Sequence, residues 1–184
     1  QQAFQHLLGQ ALKHQFPAHP TFEDEAPLGM AALKRVLAEI ERATQVADGR
    51  IPVEQPKRRE LRQIANPLRL GEMHETHFVL GQHWKSHLLR EHAKQSGAMT
   101  VAKMRTWIDQ PQTMGLPKEL QNLIILTFAL QTNRSFFLHG GPMQPMLENL
   151  PDELELREQK LPSQQDWEKA RDRASAIFGV TASP

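Results

Sequence analysis

Apolar positions along this chain fall mostly at helical spacing. Phe4, Leu7, Leu8, Ala11 and Leu12 recur at intervals of three and four and fade at Phe16-Pro17, which predicts an N-terminal helix. His19-Pro20 to Pro27 reads as a proline-punctuated acidic linker. Residues 28–46 give the cleanest amphipathic pattern: Leu33, Val36, Leu37, Ile40 and Ala43 form one stripe, and Lys34, Arg35, Glu39, Glu41 and Arg42 lie away from it. Asp48-Gly49 supplies the turn that stops this helix. After Pro56, Leu61, Ile64, Ala65 and Leu68 sit at i, i+3, i+4 and i+7, and Pro67 should end that helix near Asn66. A histidine-rich helix is predicted over about 74–95, ending at Gly97. Thr100 then suits the N-cap of a helix carrying Val101, Met104 and Ile108.

The densest apolar run lies in residues 116–141. Pro117 can open a helix, and Leu120, Leu123, Ile124, Ile125, Leu126, Phe128 and Leu130 cover nearly its whole circumference; such a helix is normally buried. Arg134 to His139 reads as a strand stopped by Gly140-Gly141-Pro142. Glu153 to Glu158 alternates strictly and is its natural partner, which gives a hairpin whose tip is stiffened by Pro142, Pro145 and Pro151. A last helix begins at Pro162-Ser163, carries Trp167, Ala170, Ala174, Ile177 and Phe178 on one face, and ends at Gly179. The expected fold class is mainly α: a multi-helix domain with a small β-hairpin and a winged-helix-like core. Residues 1–27 form an N-terminal helix and linker. Residues 28–184 form the helical domain, with the winged-helix-like unit at about 74–158 and the C-terminal helix after it.

Composition narrows the chemistry. At 184 residues, 39% apolar and 23% charged, the chain has the balance of a globular domain with a real core. The formal net charge of +1 gives no global polyanion signal. No cysteine is present, which excludes a disulfide framework, thiolate catalysis and Cys-based zinc sites and suits a reducing compartment. Tyrosine is also absent, so no phenol can act. The longest apolar run falls short of the ~20 residues that span a bilayer. The missing initial Met suggests a piece of a longer protein, and the expected location is cytoplasmic.

Three constellations carry candidate chemistry. His74, His77, His83, His87 and His92 crowd one stretch. On a single helix His74, His77 and His92 would share the side of Phe78, Trp84 and Leu88, with His83 and His87 on the opposite, polar side. His74-Glu75-Thr76-His77 lacks the spacing of the zinc-protease helix. His83 and His87 have the i, i+4 spacing of a metal pair without an obvious third ligand, so the simpler reading is a half-buried His77 among surface histidines. Lys57, Arg58, Arg59, Arg62 and Arg69 form a basic cluster able to sit on phosphates, with Arg134 near the wing. The competing reading is a solvated face paired with Glu148, Asp152, Glu153, Glu155 and Glu158. Thirdly, the helix at the winged-helix recognition position offers only Lys118, Gln121, Asn122 and Gln131 as base-reading groups, which favours a structural or protein-binding role over DNA reading. There is no G-x-S-x-G and no G-x-x-x-x-G-K-[ST]. Asp109, Glu119 and Asp152 are scattered carboxylates.

Several stretches together carry a family resemblance: FPAHPTF (16–22), ERATQVADGRI (41–51), LRQIANPLRLGEMHETHFVLGQHW (61–84), TWIDQPQTMGLPKELQNLIILTFALQTNRSFFLHGG (106–141) and LPDELELREQKLP (150–162). In order and wording they resemble a segment of the large PglY-type phage-resistance ATPases of phage-growth-limitation, or type 2 BREX, defence systems. The resemblance covers about residues 16–178. It implies a long cytoplasmic parent with a nucleotide-binding P-loop that lies outside this sequence, so no family catalytic residue maps onto it. Related defence ATPases are similar to origin-recognition-type machines, which join an ATPase core to winged-helix modules; that is a fold-level analogy.

The reading that follows is a non-catalytic accessory or interaction module of an anti-phage defence ATPase. It needs no cofactor or metal of its own. Its partners are the rest of the parent, other defence-system subunits and, in one version, duplex DNA, with no membrane contact. The alternatives are a winged-helix DNA-binding domain using Lys57, Arg58, Arg59, Arg62, Arg69 and Arg134, and a metal-dependent enzyme using His83 and His87.

Overall fold

The computed structural model describes residues 2–22, 28–159 and 164–179. The architecture is mixed α/β. Helices pack around one buried helix, and two small antiparallel sheets flank them. In chain order these are α1 (Gln2–Gln15), α2 (Met30–Thr44), β1 (Arg50–Pro52), α3 (Gln55–Glu60), β2 (Gly71–Met73), β3 (His77–Leu80), α4 (His83–Ala93), β4 (Met99–Thr100), α5 (Val101–Ile108), α6 (Lys118–Gln131), β5 (Arg134–Leu138), β6 (Gly141–Met143), β7 (Glu155–Glu158) and α7 (Gln164–Phe178). The first sheet has strand order β1-β3-β2 and the second β4-β7-β5-β6.

The two clearest periodicities form the centre. On α2, Leu33, Val36, Ile40 and Ala43 are buried, and that face meets α6. On α6 every residue from Asn122 to Ala129 is buried, as an all-round apolar helix requires. Pro117 is its N-cap residue. The helix also touches α4 and α5. Leu61, Ile64, Ala65 and Leu68 are all buried. The segment Leu61–Ala65 is a single π-helical turn continuing α3, and Asn66 is its C-cap, just ahead of Pro67. Thr100 caps α5, its side chain accepting from the Lys103 amide at 3.3 Å.

The second sheet contains the expected pair, with Arg134 opposite Glu158 and Phe136 opposite Leu156. Leu154 and Leu156 point inward and are buried, while Arg157 and Glu158 are exposed. The hairpin reading needs two corrections. Gly141–Met143 folds back as an edge strand on β5 rather than serving as a free extended tip. Met99–Thr100 adds a strand on the other side of β7.

A larger correction concerns residues 74–95. The predicted single helix is a strand, β3, followed by α4, which starts only at His83. Phe78 is fully buried because β3 is the central strand of the first sheet, between β1 and β2. The pairing is tight at Gly71: a Cβ there would lie 2.3 Å from Cζ of Phe78 and 2.6 Å from the Val79 carbonyl. This β1-β3-β2 sheet was not foreseen. Its strands are three or four residues long, too short for alternation to declare itself against a helical background.

The two terminal helices contrast with this core. Phe4, Leu7 and Leu8 on α1, and Trp167 and Ile177 on α7, are exposed. Of the apolar face read from α7, Trp167, Ala170, Ala174 and Ile177 are uncovered among the described residues. Pro162-Ser163, the expected start of that helix, lies outside the described residues.

Candidate functional site

Most of the predicted basic cluster is spent on internal bonds. Lys57 extends from α3 to Glu39 on α2, with Nζ donating to Oε1 at 2.8 Å, and approaches Glu54 at 3.9 Å. The hydrogen bond and charge of Glu39 raise the proton affinity of Lys57. Arg58 donates from Nε to the Val53 carbonyl at 2.8 Å, and Arg62 donates from Nη2 to the His74 carbonyl at 2.8 Å. Arg59 is engaged as well. Arg134 lies on β5, its Nη2 4.0 Å from Glu158. Arg69 is separate: it is exposed and takes a left-handed backbone conformation, φ 55°.

The acidic residues expected to neutralise this cluster have other partners. Lys34 holds Glu148, Arg105 holds Asp152, and Arg157 holds Glu155. The carboxylates that do face the 54–62 region come from α2 and α3. Glu39 is buried at 4% side-chain exposure and accepts from both Lys57 and Arg42. Glu60 receives Arg35 through Nε and Nη2. Placing Glu39 off the apolar stripe of α2 was correct by hydropathy, yet packing buries it, because α3 crosses there and brings a lysine.

Arg105 is a structural residue that sequence reading missed. Its side chain is only 12% exposed. It donates to Asp152 (2.7 Å), Gln121 (2.9 Å), Asn122 (2.7 Å) and the Leu150 carbonyl (3.0 Å). One guanidinium thus ties α5 to α6 and to the loop between β6 and β7. Those partners are 16 to 47 residues away in sequence, so no local pattern reveals them.

The histidines do not form one site. His74 and His77 lie at a turn and on β3. His83 and His87 lie on α4 with parallel rings, 6.1 Å between centroids. His87 is buried, not on a polar face. Its Nε2–H donates to the Trp107 carbonyl at 2.7 Å, and Nδ1 accepts from Nη2 of Arg90 at 3.1 Å. Both its ring nitrogens are occupied, which leaves neither lone pair for a metal. Among the described residues no three His, Asp or Glu side chains converge as a metal site needs.

This histidine pair does line a cavity of about 600 Å³. Four parts of the chain meet there: residues 17–21, the turn at 67–69, α4 from His83 to Arg90, and the end of α5 with the loop after it. The loop is held by Asp109, whose Oδ1 accepts from the Met114 and Gly115 amides at 2.9 and 3.3 Å. Gly115, at φ +61°, lies against the Phe16 ring, where a Cβ would meet ring carbons at 2.4 Å. The 17–21 segment docks through the Ala18 amide to the Thr113 carbonyl (3.2 Å) and the His19 Nδ1–H to the Met114 carbonyl (2.7 Å). Trp84 anchors α4 by donating from Nε1 to the Leu68 carbonyl at 2.6 Å. Arg69 and Arg90 both line the cavity, and among the described residues no aspartate or glutamate does. The His83 proton affinity is lowered, first by burial and then by the charges of Arg69, His87 and Arg90.

A family model described as the fifth domain of the BREX system ATPase PglY matches residues 31–129. The chain belongs to this PglY fifth-domain family. The matched span runs from α2 through most of α6, so the PglY-type region holds the buried core helix pair, the β1-β3-β2 sheet, Arg69, His83, His87 and Arg90. The β5–β7 strands lie beyond it. No solved structure matches the chain. Among the described residues no helix is long and apolar enough to cross a membrane.

Proposed function

We propose that this domain is a non-catalytic accessory module of a cytoplasmic anti-phage ATPase, working without a cofactor of its own and joining neighbouring domains of the same protein or other defence-system subunits. The observation that carries this reading is the contrast between its interior and its ends. The charged groups of the core are consumed in internal pairs such as Glu39–Lys57 and Arg105–Asp152. The terminal helices, by contrast, present large apolar side chains, with Phe4 at 70%, Leu7 at 63%, Trp167 at 62% and Ile177 at 72% exposure. Contiguous apolar faces of that kind suit burial against protein. The test is nucleotide hydrolysis by the 184-residue chain: no turnover is expected, and clear turnover would overturn the proposal.

A second reading, a winged-helix-like DNA-binding unit, is supported by chain order. Helix α4, strand β4, helices α5 and α6, and strands β5 and β7 follow one another, with β7 between β4 and β5. Against base reading, α6 is buried along most of its length, so DNA contact would fall to Lys57, Arg58, Arg59, Arg62, Arg69 and Arg134 on phosphates. It predicts salt-sensitive duplex binding that weakens on Arg58→Ala and Arg59→Ala. Failure to bind a duplex at low salt removes it for this domain.

A further inference from the structure

We propose that the cavity between residues 17–21, α4 and the 109–114 loop is a binding site for a small phosphomonoester, with the guanidinium groups of Arg69 and Arg90 receiving the phosphate and His83 adding a hydrogen bond. This goes beyond the accessory-module reading and does not rest on it.

The first argument is charge. Two permanently charged guanidiniums line one cavity with no carboxylate among the described lining residues. Three cations of the core, by contrast, find carboxylates: Lys57 has Glu39, Arg35 has Glu60 and Arg105 has Asp152. Among the described residues Arg69 has no ion pair. Among the described residues Arg90 approaches only the carboxylate of Glu91, at 3.7 Å, and that group is already taken by Lys94 at 2.7 and 2.8 Å. Concentrated positive charge in a concave site disfavours a further proton and favours an anion. The guanidinium fork matches phosphate oxygens in pairs, and a dianion balances two such groups where a carboxylate balances one.

The second argument is the unused polar group. His87 is fixed by its bonds to Trp107 and Arg90, whereas the neighbouring His83 ring has no hydrogen bond among the described residues. It is the first residue of α4, an eleven-residue helix whose N-terminal dipole adds to the positive field. The third argument is size and lining. About 600 Å³ lies within the range of small-molecule sites, and Pro20, Pro67 and Pro111 give rigid apolar walls for the organic part of the ligand. The same phosphomonoester chemistry could arrive as free phosphate or attached to a nucleoside-sized body; the apolar walls favour the latter.

Isothermal titration calorimetry on the 184-residue chain tests this with four probes: inorganic phosphate, adenosine monophosphate, adenosine and acetate. Saturable one-to-one binding of the monophosphate is expected, weaker binding of inorganic phosphate, and none of adenosine or acetate at tenfold higher concentration. Arg69→Gln and Arg90→Gln should each weaken the monophosphate at least tenfold. Both positions are exposed, so folding should survive. Arg69→Lys should recover part of the affinity, and Arg50→Gln, outside the cavity, should change nothing. If neither phosphate probe saturates, if acetate or adenosine binds as well as the monophosphate, or if Arg69→Gln and Arg90→Gln bind like the parent, the proposal is wrong.

Discussion

Two sets of cations in this domain meet opposite fates. Lys57, Arg35 and Arg105 reach into the spaces between helices and find carboxylates or carbonyls waiting; their charge holds elements together. Arg69 and Arg90 border a cavity where no carboxylate among the described residues faces them. Both sets look alike in sequence, as basic residues on or near helices. The difference shows that a basic cluster is informative only after its internal partners are subtracted. By that subtraction the 57–62 cluster is mostly architectural, whereas Arg69 and Arg90 border a common cavity.

Removing the cations and carboxylates in turn tests the contrast. Arg105→Ala should have the largest effect, a loss of about 3 kcal/mol in urea denaturation, because it leaves the Asn122 Oδ1 and the Leu150 carbonyl without their donor. A loss below about 1 kcal/mol would show the residue to be dispensable. Glu39→Ala should cost less, about 1–2 kcal/mol, since Lys57 and Arg42 are half-exposed and can turn to water.

The next effect is set by pH. The His83 and His92 proton affinities lie below the ordinary value of 6.5, chiefly because burial disfavours the charged ring. The unfolded chain therefore binds more protons below 6.5, and stability should fall as pH drops through that point. Glu91, whose carboxyl is held low by the Lys94 hydrogen bond, adds to the loss further down, below 4.5. A His83→Gln, His92→Gln double variant should flatten the first part of this limb in urea midpoints measured across pH; an unchanged limb would place its origin elsewhere. The smallest effect belongs to Arg69→Gln, which should leave stability within about 0.5 kcal/mol because the side chain is exposed and carries no internal bond among the described residues. A larger loss would move Arg69 into the architectural set.

Much of the helical core was legible beforehand. The stripe on α2, the 61–68 pattern, the Thr100 cap and the fully apolar α6 all follow from side-chain periodicity and local capping, which act within one or two turns. The β5–β7 pair was legible too, because ELELRE alternates cleanly. Residues 74–82 were misread because His, Phe and Trp at mixed spacing fit a helix as well as a strand, and the β1-β3-β2 sheet exists only through pairing with residues 50–52 and 71–73. The candidate cavity was legible only in fragments: His83 and His87 stood out as an i, i+4 pair and Arg69 as part of the basic cluster, while Arg90 did not.

The sequence by itself determined most of the helical segments, that α6 must be buried, that thiol and phenol chemistry are absent, and which family the chain resembles. These rest on composition and on contacts between residues a few positions apart. Only the tertiary structure decided the fate of each charge. Whether a lysine meets a glutamate 18 residues away, or two arginines border the same cavity, depends on how helices cross, and crossing is set by the packing of apolar faces rather than by the charged residues themselves.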